Sequence, residues 1–465
     1  MTQARMRTPE GEALAATREQ HFSRMMDYVC EAHPYYRGVM GRLGLSRRDF
    51  GALADLRKLP VTTKQQYMAD PDAFRLRSEA LGTLSLPERT LWGVVYTTGS
   101  TAGHPTPFYD TSYDHAARIW QMREATEMAG ITAADVVANC FPLTAVPHQG
   151  FLSAAFGPLA VGARILTGFT GRPATPYPVY RSTEGLARLV AAHRATVLWG
   201  ITSYVRRLVQ EAEVLRLDFS SVRIAFVAGE ACPPAMRDDL RRRLAGLGAR
   251  DVFVQNAYGF TEMQGPTIEC AEGGPLHIPA AQHYWFEVVD PDTHVPVPEG
   301  ARGFVLLSHL NRRGTVLLRY AIGDVCAMAA GRCEVCGRDG PRFTRTPERG
   351  DALVKVRGTL VNPAAVIEAL SGVAGVDDFQ VTVAYRDAGD RLSEEEMVVR
   401  FTGSDRDASA VAGAIGETVR TVCEVTPRTV YLRPQEFAAL GEADVYKFRR
   451  FRDERARAPE PGGAA

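Results

Sequence analysis

The sequence predicts an α/β fold, built as a large N-terminal domain of helix-covered sheets with a β-barrel-like subdomain, followed by a small α+β C-terminal domain. Three observations carry that expectation. Between residues 90 and 310, short apolar runs alternate with amphipathic segments, the pattern of parallel strands covered by helices. From 285 to 320 the apolar runs are separated by the turn formers Asp290-Pro291-Asp292 and Asn311 to Gly314, which predicts antiparallel strands. Beyond residue 351 about 100 residues, a common domain size, read strand, helix, strand, strand, helix, strand.

Taken in order, residues 12–45 show helical spacing, with Phe22, Met25, Met26, Tyr28 and Val29 crowding one side. Apolar runs at 136–141, 164–166, 196–199, 224–227 and 251–255 predict buried strands. Segments 184–193, 203–215 and 234–244 predict the helices between them. Antiparallel strands are expected at 285–289, 303–308 and 315–320. The C-terminal pattern is a strand at 354–357, a helix at 363–370, strands at 378–383 and 396–402, a helix at 408–422 and a strand at 429–432. The expected domains are therefore 1–350 and 351–465, the latter ending in a Pro-, Gly- and Ala-rich tail of the kind that stays disordered.

With 465 residues the chain exceeds what one core organises. Its 45% hydrophobic and 23% charged content is that of a globular enzyme. Lys+Arg and Asp+Glu are balanced at 54 each, so net charge points to no nucleic-acid or membrane partner. The local runs Arg241-Arg242-Arg243 and Arg449-Arg450 read as solvated helix faces. The longest apolar stretch, 151–163, is too short to span a bilayer. No apolar leader opens the sequence, so a cytoplasmic protein is expected. Its eight cysteines are then expected as thiols or metal ligands.

The segment Tyr96-Thr97-Thr98-Gly99-Ser100-Thr101-Ala102-Gly103-His104-Pro105-Thr106 packs hydroxyls and glycines after an apolar run. Backbone N–H groups and hydroxyls with no bulky neighbour suit a polyphosphate, although the same composition also makes ordinary turns. It is not a Walker A loop, since no Gly-Lys-Ser/Thr follows. Ala257-Tyr258-Gly259-Phe260-Thr261-Glu262 puts a hydroxyl and a carboxylate after an expected strand, a pair able to hold phosphate and Mg²⁺. Arg319-Tyr320-Ala321-Ile322-Gly323-Asp324 ends another expected strand with a carboxylate suited to ribose hydroxyls.

In order along the chain, these segments, Leu59-Pro60-Val61-Thr62-Thr63-Lys64, Ala228-Gly229-Glu230, Arg349-Gly350-Asp351 and the late Lys447 form a series. That series resembles the adenylate-forming superfamily of acyl- and aryl-CoA synthetases, and within it the phenylacetate–CoA ligase branch. The resemblance covers roughly residues 20 to 455. It implies that Thr97, Thr98, Gly99, Ser100, Thr101 and Gly103 close over the ATP phosphates. Gly229, Glu230 and Ala231 would line the adenine with Ala257, Tyr258 and Gly259. Thr261 would contact the α-phosphate, Glu262 would hold Mg²⁺, and Asp324 and Arg349 would bind the ribose. Asp351 would be the hinge of a mobile C-terminal domain, and Lys447 would bridge the carboxylate and the α-phosphate. The segment Lys355-Val356-Arg357-Gly358 would line the pantetheine tunnel of coenzyme A. His148, Gly200 and Tyr204 fall, by family position, on the acid pocket, whose aromatic and small residues suit a flat aryl or cinnamyl-type acid.

Cys270, His277, Cys333 and Cys336 fall as Cys-x6-His and Cys-x2-Cys, a set that can close a tetrahedral structural Zn²⁺ site, with Cys326 as a competing ligand. Two positions depart from the family's pattern: His104 stands where a lysine is usual, and Tyr446 where a glycine precedes the late lysine. The acceptor of the activated acid is therefore left open between coenzyme A, a carrier protein and an amine. So is a nitrite-activating diazotase acting on an aryl amine, and so is a homodimer.

Overall fold

A computed structural model of the chain describes residues 10–97, 106–143, 149–170, 181–349, 354–357, 359–387, 390, 393–403, 408–440 and 448–455. The chain divides into two compact units: Met1–Glu230 with Arg241–Arg349, and Gly350–Ala465 with Ala231–Leu240.

In the first unit the strands Val136–Asn139, Arg164–Thr167, Val197–Ile201, Ile224–Ala228 and Phe253–Phe260 run parallel. Numbered along the chain, their spatial order is 2-1-3-4-5. Val197–Ile201 is buried at every position, as expected of a strand covered on both faces. The connecting helices within this unit are Gln149–Val161, Thr183–Ala192 and Thr202–Val214, and the helix Pro234–Gly246, whose first residues belong to the other unit, precedes Phe253–Phe260 in the chain. Strands Gly265–Glu269, Leu276–His277, Arg342–Phe343 and Met328–Ala329 extend the sheet antiparallel. An order that reverses between the first and third strands opens a crevice at their carboxyl ends, where ligands of such sheets bind.

The core of this sheet is tight at Trp199, which is fully buried and meets Phe226 edge to face at 4.5 Å. Gly157 on the covering helix lies directly against it: a Cβ there would stand 2.8 Å from the Trp199 ring and 2.5 Å from Thr126 Oγ1. Gly157→Ala is expected to destabilise the protein by about 1–3 kcal/mol, read as a lower urea midpoint.

The barrel-like part is assembled from the sheet Tyr284–Val289, Gly303–His309, Tyr320–Cys326 and Glu348–Arg349 and the ribbon Leu91–Tyr96/Pro107–Thr111. Thr315 joins them, its N–H donating to Tyr109 O at 2.9 Å. The strand expected at 315–320 is not one. Its N–H groups go elsewhere: Val316 to Phe74 O, Leu318 to Tyr36 Oη, and Arg319 to Ser308 Oγ. The ladder begins at Tyr320, so Asp324 sits inside a strand and not at its end. Likewise the strand expected to stop at residue 255 continues to Phe260, where it pairs antiparallel with Gly265–Glu269. Thr261 and Glu262 thereby fall in the hairpin turn.

The second unit holds a four-stranded sheet ordered Arg428–Tyr431, Glu395–Gly403, Val376–Tyr385 and Phe451–Asp453. The long central pair is antiparallel and both outer strands are parallel to their neighbours. Phe379, Val381 and Val383 alternate with polar residues and share a core with Met397, Val399, Phe401 and the helix residues Val411, Ile415 and Val419. The strand expected at 354–357 is Val354–Val356, and its hairpin partner Thr359–Val361, the helix Pro434–Leu440 and the strand Phe451–Asp453 complete the unit beyond the sequence expectation.

Apart from the histidine of the cysteine cluster, three buried histidines of the first unit are held neutral. Burial pushes His33 down to about 4, and His283 and His309 down to about 3. A histidine whose folded pKa lies below its unfolded value near 6.5 leaves the unfolded state binding more protons as pH falls. Their contribution to stability is complete above pH ~6.5 and is lost progressively towards pH ~4, by about 1.4 kcal/mol per pH unit for each. Asp72 and Asp135, drawn down to about 2, add acid sensitivity only below the ordinary carboxylate range. We expect urea midpoints to fall steeply between pH 6.5 and 4, where depressed carboxylates alone would give a flat profile.

Candidate active site

Three of the five parallel strands deliver sequence-predicted residues at or just past their carboxyl ends. Past Ile224–Ala228 come Gly229 and Glu230. The Glu230 carboxylate accepts from the Ser203 N–H at 3.0 Å, and its carbonyl from Thr202 Oγ1 at 3.3 Å. Glu230 thus caps the helix Thr202–Val214, where a carboxylate meets the positive end of the helix dipole. Ala231, exposed, follows. Val197–Ile201 contributes Gly200, required by packing since a Cβ would meet Cys140 at 2.8 Å. Tyr204 follows on the helix, its ring under the Arg207 guanidinium at 5.0 Å and its phenol pushed up to about 12 by burial. Val136–Asn139 leads to the buried Phe141.

Phe253–Phe260 brings Ala257, Tyr258, Gly259, Thr261 and Glu262. The Glu262 side chain is buried and accepts from Tyr320 Oη at 3.0 Å. Its backbone carbonyl accepts from His309 Nε2 at 2.9 Å. His309 Nδ1 in turn accepts from the Leu317 N–H at 3.1 Å, so the proton of this neutral ring belongs on Nε2. Tyr258 Oη donates to Asp324 Oδ2. Asp324 is buried in Tyr320–Cys326 and pairs across the ladder with Arg349, so the two predicted ribose residues are neighbours. Opposite Asp324 the ladder is irregular between Phe304 and Leu306, a bulge of the kind that re-aims side chains.

Beneath the Glu262 turn lies a buried ion network absent from the sequence expectation. Asp110 is fully buried and pairs with Arg118 at 2.9 Å and with Arg312. Gln264 Nε2 donates to Asp110 at 2.8 Å, Arg312 Nη1 donates to Gln264 Oε1 at 2.8 Å, and Gln149 Nε2 donates to Gln264 O at 2.8 Å. Gln264 holds a left-handed φ of 57°, a strain this network secures.

Thr97 ties the base of the hydroxyl-rich segment. Its N–H donates to Thr106 O at 3.0 Å, and its Oγ1 accepts from the Thr106 N–H at 2.9 Å. Thr98, Gly99, Ser100, Thr101, Gly103, His104, His148, Asp351, Gly358, Tyr446, Lys447 and the terminal tail lie outside the described residues, as do the side chains of Arg349 and Lys355.

The donor atoms of Cys270, His277, Cys333 and Cys336 all lie within 4.8 Å of one another. Cys336 Sγ approaches His277 Nε2 at 3.3 Å. The Cys-x2-Cys turn closes through Gly337, whose φ of 70° is a glycine conformation. Burial, helped by Arg338 and Arg342, pushes His277 down to about 4 and keeps it the neutral ligand form. Three sulfurs and an imidazole suit a closed tetrahedral metal centre. Cys326 is not part of it: its thiol faces the carbonyls of Ala327 and Arg345, both at 3.2 Å. Among the described residues no helix is long and apolar enough to cross a membrane.

The fold and site define an α/β protein with a parallel sheet whose last parallel strand leads to a buried carboxylate, Glu262, with a second, Asp324, on the neighbouring antiparallel sheet. A family model for AMP-binding enzymes matches residues 52–311, more than half of the chain, which belongs to that family. Curated relatives place it, as an AMP-forming acid ligase by class, on the phenylacetate–CoA ligase-like branch of the adenylate-forming superfamily. It is 28% identical over 411 residues to phenylacetate-coenzyme A ligase of Thermus thermophilus, covering 86% of this chain and 84% of that one. Against the Escherichia coli phenylacetate-coenzyme A ligase it is 27% identical, covering 78% and 77%. A crystal structure of 2-hydroxyisobutyryl-CoA ligase with R3-HIB-AMP matches at a TM-score of 0.76 and 21% identity, covering 97% of this chain and 92% of that one. That likeness establishes the fold.

The sequence series names Glu262 and Asp324, and the structure buries both and links each to a tyrosine. The series missed Tyr320 and His309 as their supports and the whole Asp110 network. One signal was available: a tyrosine stands four residues ahead of each carboxylate, at Tyr258/Glu262 and Tyr320/Asp324.

Proposed function

We propose that this protein activates an aryl or cinnamyl-type carboxylic acid with ATP and transfers it to the thiol of coenzyme A. The carboxylate oxygen bonds to the α-phosphorus as the bond to the β-phosphate oxygen breaks, releasing pyrophosphate. The thiol sulfur then bonds to the acyl carbon and AMP departs. The observation that carries this reading is the pair of buried carboxylates, Glu262 in a hairpin turn and Asp324 on a strand, linked by tyrosine hydrogen bonds between the two sheets. Its relatives named as phenylacetate-coenzyme A ligases support the acid and the acceptor.

In this reading residues 1–350 form the adenylating domain, and 351–465, hinged at Asp351, carry Lys447. Thr97 to Gly103 meet the leaving phosphates, while Gly229, Glu230, Ala231, Ala257, Tyr258 and Gly259 receive the adenine. Thr261 contacts the α-phosphate, and Asp324 with Arg349 binds the ribose diol. Glu262 offers the single hard oxygen donor that suits Mg²⁺, which takes one or two carboxylates plus substrate oxygens. His148, Gly200 and Tyr204 belong to the acid pocket, where the apolar Phe141 would suit a flat ring.

Mass-spectrometric product identification, with an aryl-acid panel and with coenzyme A, amines and nitrite as competing acceptors, tests the proposal. An acyl-CoA product is expected; an amide or a diazo product overturns the acceptor. Cys270, His277, Cys333 and Cys336 are proposed to hold a structural Zn²⁺. Metal analysis is expected to find one ion per chain, lost in Cys333→Ser together with thermal stability; substoichiometric zinc in the native protein rejects the site.

A further inference from the structure

We propose that Tyr258 and Tyr320 form a crossed brace that positions the two active-site carboxylates, each tyrosine serving the strand it does not belong to. The proposal rests on the reading of Asp324 as the ribose ligand and Glu262 as the cation ligand. Tyr258 lies on the hairpin that carries Glu262, yet its hydroxyl donates to Asp324 Oδ2. Tyr320 lies on the strand that carries Asp324, yet its hydroxyl donates to Glu262 Oε1 at 3.0 Å. Each tyrosine stands four residues before one of the carboxylates, Tyr258 before Glu262 and Tyr320 before Asp324. The two hydrogen bonds therefore cross between the central sheet and the antiparallel sheet.

Tyr320 cannot yield easily. It is 1% exposed and packs edge to face on Tyr67 at 6.2 Å. The residues on either side of it are pinned by Thr62, whose N–H donates to Arg319 O at 3.0 Å and whose carbonyl accepts from the Ala321 N–H at 2.9 Å. This gives the early Leu-Pro-Val-Thr-Thr-Lys segment a role in the site: it fixes the strand from which Glu262 is held. The Glu262 backbone is held separately by His309.

A carboxylate has about four acceptor positions, so accepting from a phenol does not by itself preclude accepting from a ribose hydroxyl or binding a cation. What the phenol removes is rotational freedom, so the carboxylate is already aimed when the ligand arrives. Crossing has a consequence that separate supports would not. The hairpin bearing the cation ligand sets the aim of the ribose ligand, and the reverse.

The test is isothermal titration calorimetry on the full chain with ATP, 2′-deoxyATP and 3′-deoxyATP over a series of Mg²⁺ concentrations. The native protein is expected to prefer ATP over both deoxy analogues. Tyr258→Phe is expected to weaken ATP about tenfold while hardly changing the analogues, so that the preference collapses with the Mg²⁺ dependence intact. Tyr320→Phe is expected to raise the Mg²⁺ concentration needed for half-maximal affinity about tenfold, with the ribose preference intact. The uncrossed pattern, in which Tyr258→Phe shifts only the Mg²⁺ dependence, overturns the brace. So do variants that behave as the native protein. If Tyr320→Phe melts early, the Tyr258→Phe arm decides alone: native ribose preference in that variant overturns the proposal. A native protein that binds ATP without preferring the intact ribose contradicts the assignment of Asp324 itself, a failure distinct from that of the brace.

Discussion

Replacing Lys447 with alanine is expected to abolish acid-dependent pyrophosphate release while leaving ATP binding nearly intact. A carboxylate that attacks a phosphate brings one anion to another, and charge accumulates on both groups as the bond forms. Contacts made at that moment lower the barrier, whereas contacts made equally to bound ATP do not. Lys447 is assigned the first kind of contact by its place at the end of the sequence series. In the proposed reading Asp324, Tyr258 and Glu262 make largely the second kind. Loss of one contact to developing charge commonly costs about 10²–10³ in rate, and more is expected of a full ammonium. A pyrophosphate assay with an aryl acid checks the rate, and calorimetry with ATP checks the binding. Unchanged release would remove Lys447 from the mechanism; equal losses of both would assign it to nucleotide binding.

The central sheet was legible because its strands are buried on both faces, so Val197–Ile201 and Ile224–Ala228 appear as uninterrupted apolar runs. The segment at 315–320 misled for a related reason. It is apolar and extended, but its backbone partners are Phe74, Tyr36 and Ser308, which no local pattern reveals. Phe451–Asp453 was hidden because only three residues pair, two of them charged. At the site the carboxylates could be read from an ordered series of motifs. Their supports could not: Asp110 is 154 residues from Gln264 and 202 from Arg312, and each residue alone reads as an exposed polar position.

That hidden network carries the largest expected effect on stability. Asp110 is wholly buried, and the side chains of Arg118 and Arg312 are 1% and 7% exposed. Asp110→Ala would remove the carboxylate in direct contact with two buried guanidinium groups, leaving only the more indirect charge of the buried Asp114. Removing one partner of a buried ion pair costs about 3–5 kcal/mol, far more than the intact pair contributes. With an unfolding entropy of about 2.1 cal/mol/K per residue, a unit of this size should lose roughly 4–7 °C in melting temperature. Arg188→Ala is the control: its ion pair with Glu184 is more than half exposed on both sides, and its loss should change stability by less than about 1 kcal/mol. The loss at Asp110 should also reach function. Gln264, strained at a positive φ and two residues past Glu262, is held by Asp110, Arg312 and Gln149. At a temperature where Asp110→Ala is still folded, half-maximal Mg²⁺ for pyrophosphate release should rise, because the turn that presents Glu262 has lost its floor. A lower melting temperature with native Mg²⁺ dependence would confine the network to a structural role.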